Sequence, residues 1–278
     1  PGFVAAQTGE DIGSLDEIAA MSTEAGSGQT RLLAPCDLQA VKACGVTFAG
    51  SMVERVIEER AAGDASRAEA IRTRVAAAIG DSLRGLVPGS EKAAEVKRVL
   101  LAEGLWSQYL EVGIGPDAEV FTKAQPMAAV GWGASVGLHP VSSWNNPEPE
   151  VVLAVDSTGR IVGATLGNDV NLRDVEGRSA LLLGKAKDNN AAAALGPFIR
   201  LFDAGFSLDS VRSLDLSLTV TGSDGFVLQG RSSMAEISRD PADLVRQTLG
   251  RHHQYPDGLM LYCGTMFSPV QDRDGPGQ

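Results

Sequence analysis

The residues with the clearest capacity for chemistry are three carboxylates in the segment 145–174. Glu148 and Glu150 stand two residues apart at the start of an apolar run, and Asp169 follows later in a Gly-Asn-Asp sequence. Alternate side chains of an extended strand share a face, so the two glutamates point the same way. The turn at 156–159 folds the chain back toward them. Carboxylate oxygens grouped in this way would suit a hard divalent cation such as Mg²⁺.

The register across this turn decides whether the third carboxylate joins the other two. With a two-residue loop, Glu150 lies opposite Thr165, and Asp169 then shares the glutamate face. With a three-residue loop and Gly159 as the bulge, that parity reverses. A Glu-x-Glu pair on a strand is also the ordinary pattern of a solvated face. The spacing therefore permits a metal cluster without requiring one, and both interpretations stay open.

Four other residues have both a structural and a chemical interpretation. Lys123 ends a short predicted strand, and Lys185 lies in a lysine-rich segment. Both are typical surface lysines, but a lysine beside a bound metal and substrate neutralises charge or moves a proton. Ser51 and Glu54 have the spacing of a helix capping box, and this pattern favours capping over catalysis when it is considered alone.

The composition excludes several classes of function. The formal net charge of −11 makes a nucleic-acid or anionic-membrane surface a poor partner. No histidine cluster competes for the metal, and three cysteines without a C-x-x-C pair argue against structural zinc and a disulfide framework. No phosphate loop or G-x-G-x-x-G motif is present. Without a long apolar run or a signal pattern, we expect a soluble protein, and the unpaired cysteines favour a reducing cytoplasm.

The arrangement of apolar and turn residues predicts an α+β fold that is mostly β. Helical periodicity is clearest near 65–79, 91–103 and 241–249. After residue 115 the pattern changes to short strands separated by glycine-rich turns, among 32 glycines and 13 prolines in all. We therefore predict an N-terminal region, residues 1–114, with an arm, short strands and a helical insert. Residues 115–278 form the predicted catalytic domain.

Six segments, in chain order, resemble motifs of the fumarylacetoacetate hydrolase superfamily over most of residues 32–269. Each match is weak alone, but the ordered set is specific. The segments are GVTFAGSMVERV, FTK, EPEVVLAV, GATLGNDVNLRD, GKAKDNNAAAALGPF and CGT. The resemblance implies a mixed β-roll catalytic domain and a homodimer, acting on a 2-oxo acid or a related diketo acid.

The resemblance also implies specific residue roles. Mg²⁺ or Mn²⁺ would be held by Glu148, Glu150 and Asp169. Metal binding in such enzymes polarises a keto group and stabilises an enolate. The further residues that the resemblance assigns to the site are Lys185 near the metal, Lys123 and Thr265 at the substrate, and Arg173 as a supporting residue.

One departure from the family pattern bears on the reaction. Where the hydrolases carry Asn-Tyr followed by His, this chain has Thr47, Phe48 and Ser51. In the hydrolases the histidine pairs with a glutamate, here Glu54, to activate water for C–C cleavage. Its absence removes the evident general base, so Ser51 is predicted at the substrate instead.

Two further segments, RSALLLGKAKDNN and SMAEISRDPADLV, resemble the 2-keto-3-deoxy-pentonate dehydratase branch of the family. A dehydratase removes a proton beside the metal-bound ketone and expels a hydroxyl, and it needs no nucleophilic water. The first hypothesis is therefore a Mg²⁺-dependent dehydratase that forms 2-oxoglutarate semialdehyde, with Lys185 or Glu54 moving protons. The alternatives are a C–C hydrolase or oxaloacetate decarboxylase, and a non-catalytic paralogue that binds sugar acids. The family's closing strand is expected beyond the end of this sequence.

Overall fold

The computed structural model describes residues 6–23, 30–48, 52, 70, 73 and 86–267. Ten strands are found within these ranges. They are β1 (Ala40–Gly45), β2 (Glu119–Ala124), β3 (Asn145–Asn146), β4 (Pro149–Val155), β5 (Ile161–Asp169), β6 (Asn171–Leu172), β7 (Ala193–Leu201), β8 (Asp215–Thr221), β9 (Val227–Ser233) and β10 (Leu259–Tyr262).

Short helices connect the strands and cover the sheet. The seven α-helices in the described ranges are α1 (Leu15–Thr23), α2 (Glu91–Ala102), α3 (Gln108–Ile114), α4 (Arg173–Glu176), α5 (Leu183–Lys187), α6 (Leu208–Val211) and α7 (Pro241–Thr248). The predicted helices at 91–103 and 241–249 correspond to α2 and α7. Of the predicted helix at 65–79 the structure describes only residues 70 and 73, both of them helical, and the capping box of Ser51 and Glu54 lies outside the described residues. Within those residues, no helix combines the length and the apolar character needed to cross a membrane.

Six strands form the central sheet in the order β2-β1-β10-β4-β5-β7. Strand β1 runs parallel to β10, and every other pairing in this sheet is antiparallel. The pairs β3–β6 and β8–β9 form two smaller sheets. The predicted mostly-β, mixed α+β class is confirmed. Because β1 lies between β2 and β10, the predicted N-terminal region 1–114 supplies a strand to the sheet of region 115–278.

Strand β4 is buried on both faces, which explains its almost continuous apolar sequence. Val151 and Leu153 point into one hydrophobic cluster, which includes Leu244 of helix α7. Val152 points into the opposite cluster, together with Tyr262 of β10. Glu150 has the same strand parity as Val152, so its carboxylate lies on the Tyr262 side of the sheet.

Arg239 joins the helical layer to the sheet region. Its side chain is 1% exposed, and its guanidinium donates hydrogen bonds to the carbonyl oxygens of Val112, Gly115 and Asp117. These carbonyls lie at and just beyond the C-terminal end of α3, where helical carbonyls have no intrahelical partner and a cation is favoured. Helices α2 and α3 pack together around a separate apolar cluster.

Gly167, on the carboxylate side of β5, allows the sheet to pack closely at Tyr262. A Cβ at this position would lie 2.4 Å from Cε1 of Tyr262 and 2.7 Å from Cγ2 of Val152. We therefore expect G167A to lower the free energy of unfolding by about 1–3 kcal/mol through overpacking, measured by urea denaturation. G250A is the matched control, because its Cβ would meet no described atom within 4 Å. Equal stability of the two variants would contradict this packing account.

Candidate metal and substrate site

The turn between β4 and β5 is a three-residue loop closed by Asp156. The backbone N–H of Asp156 donates to the carbonyl of Arg160 over 2.9 Å, and Gly159 has a φ of 84°. The Asp156 carboxylate accepts hydrogen bonds from Thr158 and from the Arg160 backbone, which stabilises the turn locally. This loop alone gives the parity that would direct Asp169 away from the glutamates.

A bulge in β5 restores the parity that places Asp169 on the same face as the glutamates. Val155 pairs with Ile161, but Ala154 pairs with Gly163, so Val162 is an extra residue in β5. This bulge shifts the register by one residue, and every later side chain of β5 changes face relative to β4.

The restored register brings the three carboxylates together. Glu150 pairs with Gly167, and the N–H of Asp169 donates to the carbonyl of Glu148 over 2.9 Å. One oxygen from each of Glu148, Glu150 and Asp169 lies within 4.8 Å of the others. The three residues are only 7%, 2% and 1% exposed, respectively, which excludes the alternative of a solvated face.

Two buried lysines partly neutralise this cluster. Nζ of Lys187 lies 2.5 Å from Oε2 of Glu148 and 3.0 Å from Oδ2 of Asp169. Nζ of Lys123 lies 2.9 Å from Oδ1 of Asp169. The Lys123 ammonium also donates to the carbonyls of Val170 and Lys187, each over 2.8 Å. Lys123 therefore lies beside the acidic cluster, and its predicted contact with the substrate remains a prediction.

The second site lysine is Lys187, and the predicted placement of Lys185 near the metal needs correction. Lys185 is exposed on α5 and is not part of the described cluster. Two residues in an α-helix are separated by roughly 200° around its axis, so the two lysines face opposite directions. The Gly-Lys spacing of the motif suggested Lys185, and the nearby Lys187 could be identified only once the direction of α5 was known.

The buried charges shift one another's pKa values. Burial raises the pKa of Glu148 and raises that of Glu150 well above its usual range, where Asp169 adds like-charge repulsion. Burial also opposes ionisation of Asp169, but Lys187 and Lys123 hold its pKa below the ordinary value. Burial lowers the pKa of Lys123. For Lys187 the neighbouring carboxylates outweigh burial, so its pKa is raised and it stays an ammonium.

The donor set fits a divalent cation. Three carboxylates face two ammonium groups, so the charge of the cluster is not balanced by the described side chains. Glu150 forms no ion pair with any described residue. Its Oε2 instead accepts a hydrogen bond of 2.6 Å from the backbone N–H of Gly264. Oδ1 of Asp169 has no hydrogen bond within the described chain, apart from its ion pair with Lys123. Buried, incompletely compensated oxygens are suitable ligands for Mg²⁺.

Thr47 supports Glu150 through the Cys263–Gly264 peptide. Its hydroxyl donates to the carbonyl of Cys263 over 2.7 Å, and the Thr47 carbonyl accepts hydrogen bonds from the backbone and side chain of Ser238. A Cβ on Gly264 would lie 2.1 Å from the Thr47 Oγ1, so the hydroxyl packs directly on this peptide. The motif resemblance in the sequence identified Thr47 only as a departure from the hydrolase pattern.

Of the other predicted site residues, Thr265 and Arg173 lie among the described residues, and Ser51 and Glu54 do not. Thr265 directly follows Gly264 and is half-buried, and its hydroxyl accepts a hydrogen bond from the N–H of Phe267. Arg173 begins α4, and its guanidinium carbon lies 4.7 Å from the ring centroid of Trp144. Substrate contacts of Thr265 and Arg173 remain predictions. Ser51 and Glu54 lie outside the described residues, so their roles also remain predictions.

Sequence comparison relates the chain to sugar-acid dehydratases. It is 32% identical to 2-dehydro-3-deoxy-D-arabinonate dehydratase of Saccharolobus solfataricus over 155 residues, which are 56% of this chain and 51% of that protein. It is 30% identical to a probable 2-keto-3-deoxyxylonate dehydratase of Haloferax volcanii over 166 residues, 60% of this chain and 56% of that protein. The matched region thus spans about half the length of these curated relatives. No protein-family model matches the chain.

Solved structures share the fold over most of the chain. The apo form of 2-keto-3-deoxy-D-arabinonate dehydratase gives a TM-score of 0.65 at 22% identity, covering 94% of this chain and 72% of that one. The same enzyme complexed with magnesium and 2,5-dioxopentanoate gives 0.63 at 21% identity, covering 95% and 72%. A 5-carboxymethyl-2-hydroxymuconate delta-isomerase from Mycobacterium smegmatis gives 0.51 at 19% identity, covering 84% and 70%. These relatives include dehydratases of 2-keto-3-deoxy-pentonates, which is the branch that the sequence motifs resemble.

Replacing Lys187 tests its role as the cation of the acidic cluster. K187M leaves Glu148 and Asp169 buried without their shared ammonium, so we expect a loss of about 3–5 kcal/mol in the free energy of unfolding without Mg²⁺. Excess Mg²⁺ should recover part of this loss, because a cation that binds the folded state stabilises it. The matched control, K185M on the exposed face of α5, should change stability by less than about 0.5 kcal/mol. Urea denaturation with and without Mg²⁺ measures both, and similar losses in the two variants would contradict the assignment.

Two substitutions of Thr47 separate the effect of side-chain shape on Mg²⁺ affinity from the effect of the hydroxyl's hydrogen bond. T47V keeps the side-chain volume but removes the donor to the Cys263 carbonyl, so we expect Mg²⁺ affinity to fall about five- to tenfold as the Glu150 support loosens. T47S keeps the hydroxyl and should stay within about twofold of the original protein. Calorimetric titration with Mg²⁺ measures both variants. If T47S loses as much affinity as T47V, the hydrogen bond is not the cause.

Proposed function

We propose that the chain is the catalytic part of a Mg²⁺-dependent dehydratase that converts a 2-keto-3-deoxy-pentonate into 2-oxoglutarate semialdehyde, also called 2,5-dioxopentanoate. The observation that carries this proposal is the buried cluster of Glu148, Glu150 and Asp169 with Lys187 between two of them. Supporting it are the curated dehydratase relatives and a structure of the same fold complexed with magnesium and 2,5-dioxopentanoate.

In the proposed reaction the three carboxylates would hold the metal ion. A bound divalent cation would polarise the substrate's 2-keto group and favour loss of a proton from the adjacent carbon. The reaction then breaks a C3–H bond and the C4–O bond, and it releases one water molecule to leave a C3=C4 double bond. A hydrogen then moves from C5 to C3 and the C5 hydroxyl proton moves to C4, so the terminal carbon becomes an aldehyde. Atoms balance without an oxidant or a second substrate.

The two buried lysines supply positive charge and a proton beside this site. Lys187 is held as an ammonium between Glu148 and Asp169, so it takes over the proton-moving role first predicted for Lys185. Lys123 is fixed by two backbone carbonyls, and this rigid arrangement suits orientation and charge neutralisation. Glu54 stays a candidate for proton transfer. The homodimer implied by the family resemblance and the cytoplasmic location predicted from the sequence also stay predictions.

The direct assay uses purified protein with 2-keto-3-deoxy-xylonate or 2-keto-3-deoxy-arabinonate and Mg²⁺. We expect formation of 2,5-dioxopentanoate, which is detected by a coupled dehydrogenase that oxidises the aldehyde. We also expect chelation of the metal with EDTA to abolish the activity completely. Oxaloacetate and an acylpyruvate are assayed in parallel. Absence of dehydration together with rapid decarboxylation or C–C cleavage would replace the proposal with one of these alternatives.

Replacing Glu150 distinguishes an enzyme from a non-catalytic sugar-acid-binding protein. E150Q keeps the side-chain shape but removes one ligand charge, so we expect Mg²⁺ affinity to fall at least about tenfold and dehydration to disappear with it. E236Q, at an exposed glutamate, is the control and should retain both properties. A protein that loses metal in E150Q but shows no turnover in its original form is a binding protein.

A further inference from the structure

Two asparagines extend the carboxylate ladder by one step. Asn146 of β3 pairs with Asn171 of β6, and the next pair along the same two chain segments is Glu148 with Asp169. Asn146 and Glu148 are two residues apart, as are Asp169 and Asn171. Along the first segment burial alternates strictly, with Asn145 exposed, Asn146 buried, and Glu148 and Glu150 buried in turn. The two amides therefore continue the face that carries the carboxylates.

The two amides are deeply buried, and their orientation is fixed by their own donors. Asn146 is 7% exposed and Asn171 only 1%. The Asn146 Nδ2 donates to the Pro147 carbonyl over 3.0 Å, and the Asn171 Nδ2 donates to Oε2 of Glu176 over 2.5 Å. Both partners are acceptors only, so the amide nitrogen must face them and the amide oxygen must face the other way.

Both amide oxygens lack a hydrogen-bond donor among the described residues, although each is buried. An unpaired buried acceptor is costly, and such groups in native proteins are satisfied by a water molecule or a ligand. Two orphaned acceptors on facing strands form a site that selects for a donor. The Thr165 hydroxyl, which also lacks a hydrogen-bond partner among the described residues, lies on this face too.

We propose that Asn146 and Asn171 line a hydroxyl-binding subsite, in which one of the two amide oxygens accepts the single proton of the substrate's terminal C5 hydroxyl. This inference rests on the proposed function and adds to it the residues that select a hydroxylated 2-oxo acid. The distance from the carboxylates to the asparagines fits the length of the substrate, because successive same-face positions on a strand are roughly 7 Å apart. The C5 oxygen lies four bonds from the keto carbon, or roughly 5 Å when extended.

The chemistry of an amide oxygen explains the choice of hydroxyl. The departing C4 hydroxyl must receive a proton, and an acceptor cannot provide one. The C5 oxygen stays on the substrate and becomes the aldehyde oxygen, so its hydroxyl donates to an amide oxygen until its proton is transferred to C4 in the last step. The subsite would thus anchor the end of the substrate that is remote from the carboxylate.

Two unreactive ligands test the subsite by binding alone. One is 5-hydroxy-2-oxopentanoate, which has the terminal hydroxyl but no C4 leaving group, and the other is 2-oxopentanoate, which has neither. Calorimetric titration of the Mg²⁺-loaded protein should show at least about tenfold tighter binding of the hydroxylated ligand. Equal affinity for the two ligands would overturn the proposal without any variant, because water then satisfies the amides equally well.

At least one of the variants N146A and N171A should reduce that preference to less than about threefold, while the affinity for 2-oxopentanoate changes by less than about twofold. N145A is the matched control, since Asn145 is the exposed neighbour in the same strand. A preference that persists in both variants, or that falls equally in N145A, contradicts the assignment. Thermal unfolding identifies any variant that does not fold, and the ligand preference of the original protein then decides.

The dehydration assay tests the proposed function separately from the test of the hydroxyl-binding subsite. If the original protein does not dehydrate a 2-keto-3-deoxy-pentonate, the proposed reaction is wrong. The affinity ratio of the two unreactive ligands still decides whether the asparagines bind a terminal hydroxyl.

Discussion

The structure depends on the burial of three carboxylates on one face of a strand pair. Removing carboxylates from water is costly unless positive charge or hydrogen bonds compensate. Lys187 and Lys123 compensate part of the charge, and a backbone N–H meets Glu150. The remaining charge is what a divalent cation would neutralise. The same constraint explains why both lysines are themselves buried, which is otherwise rare for this residue type.

The rest of the fold supplies the rigidity that this cluster needs. Strand β4 is held between β10 and β5 and is buried on both faces, so the backbone that carries Glu150 cannot easily move. The bulge at Val162 corrects the register set by the turn. The peptide at Gly264, fixed by Thr47, supports Glu150 from the neighbouring strand end. Each contact comes from a different part of the chain, so the site forms only when the sheet is assembled.

Much of this arrangement could be predicted from residue types and order. The Glu-x-Glu spacing, the Gly-Asn-Asp sequence and the ordered motifs indicated the metal cluster, the fold class and the kind of relative that comparison then found. The position of Asp169 could not be settled, because two successive one-residue irregularities cancel and only the first has a sequence signal, at Gly159. Lys187 was missed because the lysine that points inward depends on the direction of a five-residue helix. Asn146 lies outside the matched motifs and Asn171 lies inside one without an assigned role, so only their burial and unpaired amide oxygens distinguish them.

The central claim is that Glu148, Glu150 and Asp169 together bind one divalent cation. Manganese gives a strong anomalous X-ray signal and replaces magnesium at oxygen sites, so a crystal of the protein soaked in Mn²⁺ tests the claim directly. The account predicts a single strong anomalous peak within about 2.0–2.4 Å of an oxygen from each of the three carboxylates, the distance range of such metal–oxygen bonds. A peak that touches fewer than two of them, or a site that stays empty at saturating Mn²⁺ with Lys187 still between the carboxylates, would contradict it.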